Sequence, residues 1–304
     1  MTFTSGSRLD PSRVQRRGAS AGTGGMAIGG GIGGLLLLVV GAFLGVDLTG
    51  LFGGGSAGSS VSANDPAAQT QLEQKCTTGA DANASTDCLV VGTVNSLDSY
   101  WSSAMPGLGA DFSYPDIVLF DSQTSTGCGP ASVQTGPFYC PPDKTIYVET
   151  NFFQILSEFG GSTGPLAQEY VIAHEYGHHI QQLLGVFDVA DRSGTGANSD
   201  SVKVELMADC LAGVWTHFAA TAPDASGTPF LVAPTDADIK DALSAAGSVG
   251  DDNIQKATQG QADPDTFTHG TSDQRIQAFT LGYQSGSVAQ CDPFGVTGSG
   301  SGAH

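Results

Sequence analysis

Positive charge is scarce in this chain: 11 Lys and Arg stand against 30 Asp and Glu in 304 residues, a formal net charge of −19. That deficit excludes a phosphate-tracking protein, because nucleic-acid binders neutralise the backbone with clustered basic residues, and no nucleic acid is expected as a partner. Charge of either sign is also low, 13% where about a quarter is usual. Hydrophobic residues nonetheless reach 40%, too many for a chain disordered throughout. There is no repeat at a period of about 20–50 residues, so a solenoid is excluded. None of the six cysteines forms a CxxC pair, the spacing that would suggest cysteine-held zinc or redox chemistry.

What is present is unevenly placed. Arg8, Arg13, Arg16 and Arg17 precede residue 18, whereas from Gly55 onward 7 basic residues face 28 acidic ones. Between these regions Met26 to Val46 reads MAIGGGIGGLLLLVVGAFLGV, 21 positions without a charge. A helix of that length covers roughly 31 Å at about 1.5 Å per residue, enough for a hydrocarbon core. An uncleaved transmembrane anchor is expected at 26–46; a cleaved signal peptide, with small residues from Gly53 to Ser59, is the nearer rival. Arginines before the span and no basic residue until Lys75 after it put the N-terminus in the cytoplasm and the rest outside. The expected organisation is a disordered basic cytoplasmic tail (1–25), the anchor (26–46), a Gly/Ser tether (47–65), one folded domain (66–293) and a flexible tail (294–304).

The cysteines agree with export. They are even in number and all follow the anchor, which predicts disulfides; the pairs expected are Cys76–Cys88, Cys128–Cys140 and Cys210–Cys291, the first two closing short loops. Helical patterns fall at 66–75, 91–104, 152–159, 166–184, 201–221, 236–246 and 273–285. Strand patterns are fewer, at 116–121 and 144–150.

One helix carries the chemistry. LAQEYVIAHEYGHHIQQLLG follows Pro165, suited to a first helical turn, and ends at Gly185, suited to a C-terminal cap. His174 and His178 are four apart on it and share a face, so both imidazoles can meet one ion. Glu175 lies about 100° round from His174 and reaches a water on that ion without ligating it. With six His and six Glu in the chain, H-E-x-x-H arises by chance roughly two times in a thousand.

Such a catalytic ion needs a third protein ligand and an open position. The extended pattern with a third His is absent, because positions 181 and 184 hold Gln181 and Leu184. The best remaining pair is Glu205 and Asp209 in VELMADCLAGVW, spaced i, i+4 among apolar neighbours: Glu205 as ligand, Asp209 accepting the N–H of a ligand histidine. His269 is a candidate donor to a tetrahedral oxyanion; His179, His217, Tyr176 and Tyr283 fit structural roles better.

At this point the sequence resembles the neutral zinc metallopeptidases of bacteria, single-pass proteins with an exported catalytic domain. The resemblance spans roughly 74–292 and rests on ordered blocks: TGADAN, CLVVGTVNSLDSYW, GCGPASVQTGPFYCPPDKTIYVETNFF, HEYGHHIQ, VELMADCLAGVW and HGTSDQRIQAF. By that match His174, His178 and Glu205 resemble zinc ligands and Glu175 a general base. The fold it implies is α+β, a helix-dominated, zincin-like metallopeptidase domain behind a single N-terminal transmembrane helix. The expected function is zinc-dependent hydrolysis of peptide bonds outside the cytoplasm on peptide or protein substrates, with the strand edge at 144–150 holding the peptide extended. Two rivals share these residues: a catalytically silent zinc-binding scaffold, which predicts a saturated ligand shell, and a metallohydrolase acting on cell-wall peptides.

Overall fold

Local signals account for most helix boundaries in the computed structural model, which describes residues 1–17 and 65–297. Helix α1 (Pro66–Lys75) starts under Asp65, whose carboxylate accepts the N–H groups of Ala67 and Ala68. Helix α2 (Thr86–Ala104) starts under Ser85. After the sheet come α3 (Phe152–Glu158), α4 (Pro165–Leu183), α5 (Asp200–Phe218), α6 (Asp236–Ser248), α7 (Asp251–Gln259) and α8 (Ser272–Ser285). Thr235 and Thr271 close capping boxes with Asp238 and Gln274, which satisfies orphan N–H groups at the starts of α6 and α8. Gly185, at φ 79°, ends α4 in the left-handed region that glycine enters without strain.

The strands are β1 (Gln15–Arg17), β2 (Asp116–Phe120), β3 (Gln123–Thr126), β4 (Gly129–Ser132), β5 (Phe138–Cys140) and β6 (Thr145–Glu149). One sheet has the order β1-β2-β6-β5; β1, β2 and β6 run parallel, and β5 is an antiparallel edge in register Phe138↔Tyr147. β3 and β4 form a separate hairpin. The result is a helix-dominated α+β architecture, as expected. Two corrections concern the sheet. β6, read from the sequence as the edge that would hold a peptide, is paired on both sides; β5 is the edge strand on the side of α4. β1, β3, β4, β5 and α7 were not anticipated, being short or polar.

The central helices meet backbone to backbone. A Cβ at Gly282 of α8 would lie 1.9 Å from the Cys210 carbonyl oxygen, and one at Gly213 of α5 would lie 2.2 Å from that of Phe279. A Cβ at Gly177, inside HEYGH, would lie 3.1 Å from the Ala208 carbonyl oxygen. Glycine at these positions lets α4, α5 and α8 approach closely, around a core that buries Trp101, Trp215, Tyr176 and Phe279. The disulfides join Cys76 to Cys88, Cys128 to Cys140 and Cys210 to Cys291, the pairs expected; the last ties α5 to the C-terminal segment.

The first 17 residues depart from the sequence reading. Rather than a loose tail they pack on the domain: Phe3 and Val14 are buried, β1 pairs with β2, and Phe3 and Asn83 exchange hydrogen bonds. Arg13 meets Asp98 at 2.8 Å, Arg16 meets Asp121 at 2.8 Å, and the Met1 amine meets the buried Glu169 at 2.8 Å. The ordered part also continues past 293, with Thr297 N–H donating to Asp292. The expected span at 26–46, nearly all of the tether and residues 298–304 lie outside the described residues. Among the described residues no helix is long and apolar enough to cross a membrane.

Candidate metal centre

Two turns of α4 and one residue of α5 converge on a point. His174 and His178 come from one face of α4, and Glu205 comes from α5, which packs across it at the Gly177–Ala208 contact. His174 Nε2 lies 3.2 Å from His178 Nε2 and 3.2 Å from Glu205 Oε2, and His178 Nε2 lies 3.5 Å from Glu205 Oε1. Ligands about 2.0–2.1 Å from a tetrahedral zinc stand about 3.3 Å apart, so these side chains already have the spacing of three zinc ligands. Among the described residues this trio is the group of His, Cys, Asp and Glu side chains able to hold a metal ion.

The other nitrogen of each imidazole is fixed by a partner. His174 Nδ1–H donates to Asp209 Oδ1 at 2.8 Å, and His178 Nδ1–H donates to Gln181 Oε1 at 2.8 Å. Both rings therefore turn Nε2 toward the shared point, the orientation outer partners impose on ligand histidines. Gln181, which only broke the extended histidine pattern in the sequence, is itself held by the Val204 carbonyl at 2.6 Å.

Asp209 sits beneath this layer with no exposure. Arg275 of α8 donates to both its oxygens, from Nε at 2.8 Å and Nη2 at 2.9 Å, and the Tyr170 hydroxyl donates to Oδ1. Burial opposes charge on Asp209, but Arg275 and His174 outweigh it and hold the carboxyl at about 2. Glu205 is likewise held well below the usual range: burial raises it, and His178, His269 and His174 more than offset that. With two carboxylates beside two imidazoles, without a cation, His174 is pushed up to about 10 by Asp209 and Glu205 against its burial. His178 falls to about 3 through burial. Two Nε2 atoms 3.2 Å apart cannot both direct a proton at the other, and a divalent cation balances the two carboxylates beside them without one.

Glu175 is placed by a different device. The Tyr139 N–H, on the free edge of β5, donates to Glu175 Oε2 at 2.9 Å and turns the carboxylate toward the same cavity. Burial pushes the Glu175 carboxyl up to about 7, His174 pulling it down and Glu205 adding to the rise. His269 lines the cavity from the loop before α8. Asp251 lies 3.2 Å from its Nδ1 and also accepts the N–H groups of Thr268, His269 and Gly270, which fixes the loop.

Every residue singled out in the sequence for chemistry thus faces this region, Asp209 from behind. The side chains given structural roles lie elsewhere: His179 Nε2 meets the Ser113 carbonyl at 2.7 Å, His217 Nδ1 meets that of Tyr283 at 2.7 Å, and the Tyr176 hydroxyl donates to Asp98 at 2.8 Å. Arg275, Tyr170, Gln181 and Asp251 were missed. For Arg275 one signal existed: it and Arg192 are the two arginines after the apolar span.

A helix-dominated α+β domain with an H-E-x-x-H helix and a glutamate from a second helix defines a metallopeptidase-like class. The family described as "Putative neutral zinc metallopeptidase" matches residues 4–294, and the chain belongs to it. An uncharacterized protein of Mycobacterium tuberculosis is 50% identical over 228 residues, 74% of this chain and 76% of that protein. The uncharacterized protein YpfJ of Escherichia coli K12 is 38% identical over 295 residues, 94% of this chain and 95% of its own length. No solved structure matches the chain.

Proposed function

We propose that the protein is a zinc-dependent peptidase, an endopeptidase, that hydrolyses peptide or protein substrates at this centre. The observation that carries the reading is the position of Glu175: it lines the same cavity as the three candidate ligands without being one of them. Three protein ligands beside a cavity are the pattern of a catalytic zinc; a structural zinc takes four. That favours this reading over a silent scaffold, which predicts a saturated ligand shell.

A bound zinc, held by His174, His178 and Glu205, would polarise the scissile carbonyl and make a nearby water acidic. Glu175 takes that water's proton and passes it to the leaving amine, with the Tyr139 N–H holding the carboxylate in place. His269, as an imidazolium whose Nδ1–H donates to Asp251, a form the Glu205 and Asp251 carboxylates favour against its burial, offers Nε2–H to the developing oxyanion. Arg275 and Asp209 keep the ring of His174 aligned. An H-E-x-x-H helix facing an edge strand supports a zincin-like assignment, with the substrate running past the Thr135–Phe138 segment that leads into β5. Cell-wall peptides fall within the same chemistry.

A domain outside the cytoplasm belongs to this proposal, supported by the three disulfides, with the uncharged run 26–46 as a membrane-facing segment rather than a single-pass anchor. A single crossing would separate residues 1–17 from Asp98 and Asp121, so that orientation and the packing of 1–17 exclude each other in one molecule.

The test uses the full chain, because residues 1–17 belong to the fold. Zinc stoichiometry is measured, and cleavage of a peptide library is compared for wild type and Glu175→Gln. One zinc per chain and a loss of on the order of 10²–10⁴ in kcat/KM for the variant are expected. One zinc per chain with equal, background-level cleavage in both would overturn the enzyme reading.

A further inference from the structure

The cavity at the metal centre has two unlike halves. Its volume is about 140 Å³, and its charged and imidazole lining comes from the centre itself or from Arg275 behind it. The other wall is apolar: Phe152 and Leu156 of α3, Phe159 just after it, Val171 of α4, and Val249 and Ile254 around the start of α7. Three separate parts of the chain build that wall, and the chemistry of the centre requires none of them.

We propose that this apolar wall is the specificity subsite, seating one Phe- or Leu-sized side chain of the residue next to the scissile bond. The inference rests on the peptidase reading and names its substrate class. Val171 is three residues before His174 on the same face of α4, so the wall begins about one helical turn, roughly 5 Å, from a ligand. An extended peptide advances about 3.3–3.6 Å per residue, so the residues flanking the scissile carbonyl are the ones whose side chains reach it. Size sets the class. A dry cavity of about 150 Å³ lined by Leu, Ile and Phe takes a benzene-sized group; the whole cavity here is about 140 Å³ and is shared with the centre, so its apolar part takes at most one such group. A charged or amide side chain placed against this wall would give up its hydrogen bonds to water. Gly136, at φ 69°, also lines the cavity, and a Cβ there would stand 3.1 Å from the Phe152 ring.

The test has a catalytic arm and a binding arm, both on the full chain. Zinc-loaded protein is given peptides differing at one residue flanking the scissile bond. Phe or Leu is expected to exceed Ala by on the order of 100-fold in kcat/KM, with Asp and Lys below Ala. In the Glu175→Gln protein, N-acetyl-phenylalanine amide is titrated against N-acetyl-alanine amide by NMR, and at least tenfold tighter binding of the former is expected. Ile254→Trp, which fills the cavity, should abolish both preferences, and Phe152→Ala, which enlarges it, should move the optimum toward Trp. Cleavage at equal rates for Phe, Leu and Ala would overturn the subsite and leave the peptidase standing. No cleavage of any peptide, with the phenylalanine amide still bound and lost in Ile254→Trp, would overturn the peptidase and retain the pocket. Equal binding of the two amides would overturn the pocket.

Discussion

Replacing Arg275 with Met tests how the centre is supported from behind. In the native protein Asp209 has no exposure and takes two hydrogen bonds from Arg275, at 2.8 and 2.9 Å, besides those from His174 and Tyr170. Met keeps most of the volume and removes the charge, so the carboxylate stays buried with its main counter-ion gone. Breaking a buried pair from one side costs about 3–5 kcal/mol, because the partner's desolvation is left uncompensated. For a domain of this size that is a fall of roughly 6–20 °C in Tm. The loss should be read in metal-free protein by urea denaturation, and zinc affinity should fall about 10–100-fold in a chelator competition, since His174 loses its alignment. The double variant Arg275→Met, Asp209→Asn leaves no charge stranded, so it should be destabilised by clearly less than the sum of the two single changes. A loss under about 1 kcal/mol for Arg275→Met, or strict additivity in the cycle, would refute the argument.

Two other outcomes follow from different parts of the molecule. Phe3→Ala should cost about 3–5 kcal/mol in urea melts, because Phe3 is 1% exposed and its ring fills the space over Gly92; unchanged stability would show that residues 1–17 do not dock on the domain. The Glu205 and Asp251 carboxylates raise the pKa of His269 above its ordinary value against its burial. A raised imidazole gives stability that is complete below about pH 6.5 and is lost as pH climbs through the folded value, so metal-free protein should weaken above neutrality. His269→Gln should reduce that slope, the remainder coming from His174, and an unchanged slope would remove His269 as a contributor.

The chemistry was legible because helical spacing is local. His174 and His178 four apart, with Glu175 beside the first, fix a ligand pair and a base before any packing is known. Glu205 and Asp209 were legible for the same reason, one turn of an apolar helix. Two of the expected cysteine pairs, Cys76–Cys88 and Cys128–Cys140, are suggested by short loops, which leaves Cys210 and Cys291, 81 residues apart, for the third. What failed was whatever depends on a distant partner: residues 1–17 read as a tail because their few apolar side chains show no period, and their partners at Asn83, Asp98 and Asp121 lie far along the chain.

The sequence by itself determined the longer helices, the ligand pair with its base, and the sign of the charge, because periodicity, capping and composition act within a few residues. The tertiary structure alone decided that Arg275 underpins Asp209, that the β5 backbone aims Glu175, that β6 is interior, and that an apolar wall stands beside the centre. Each of these is a meeting of segments far apart in the chain. Here the closeness depends on glycines at Gly177, Gly213 and Gly282, where any side chain would force the helices apart.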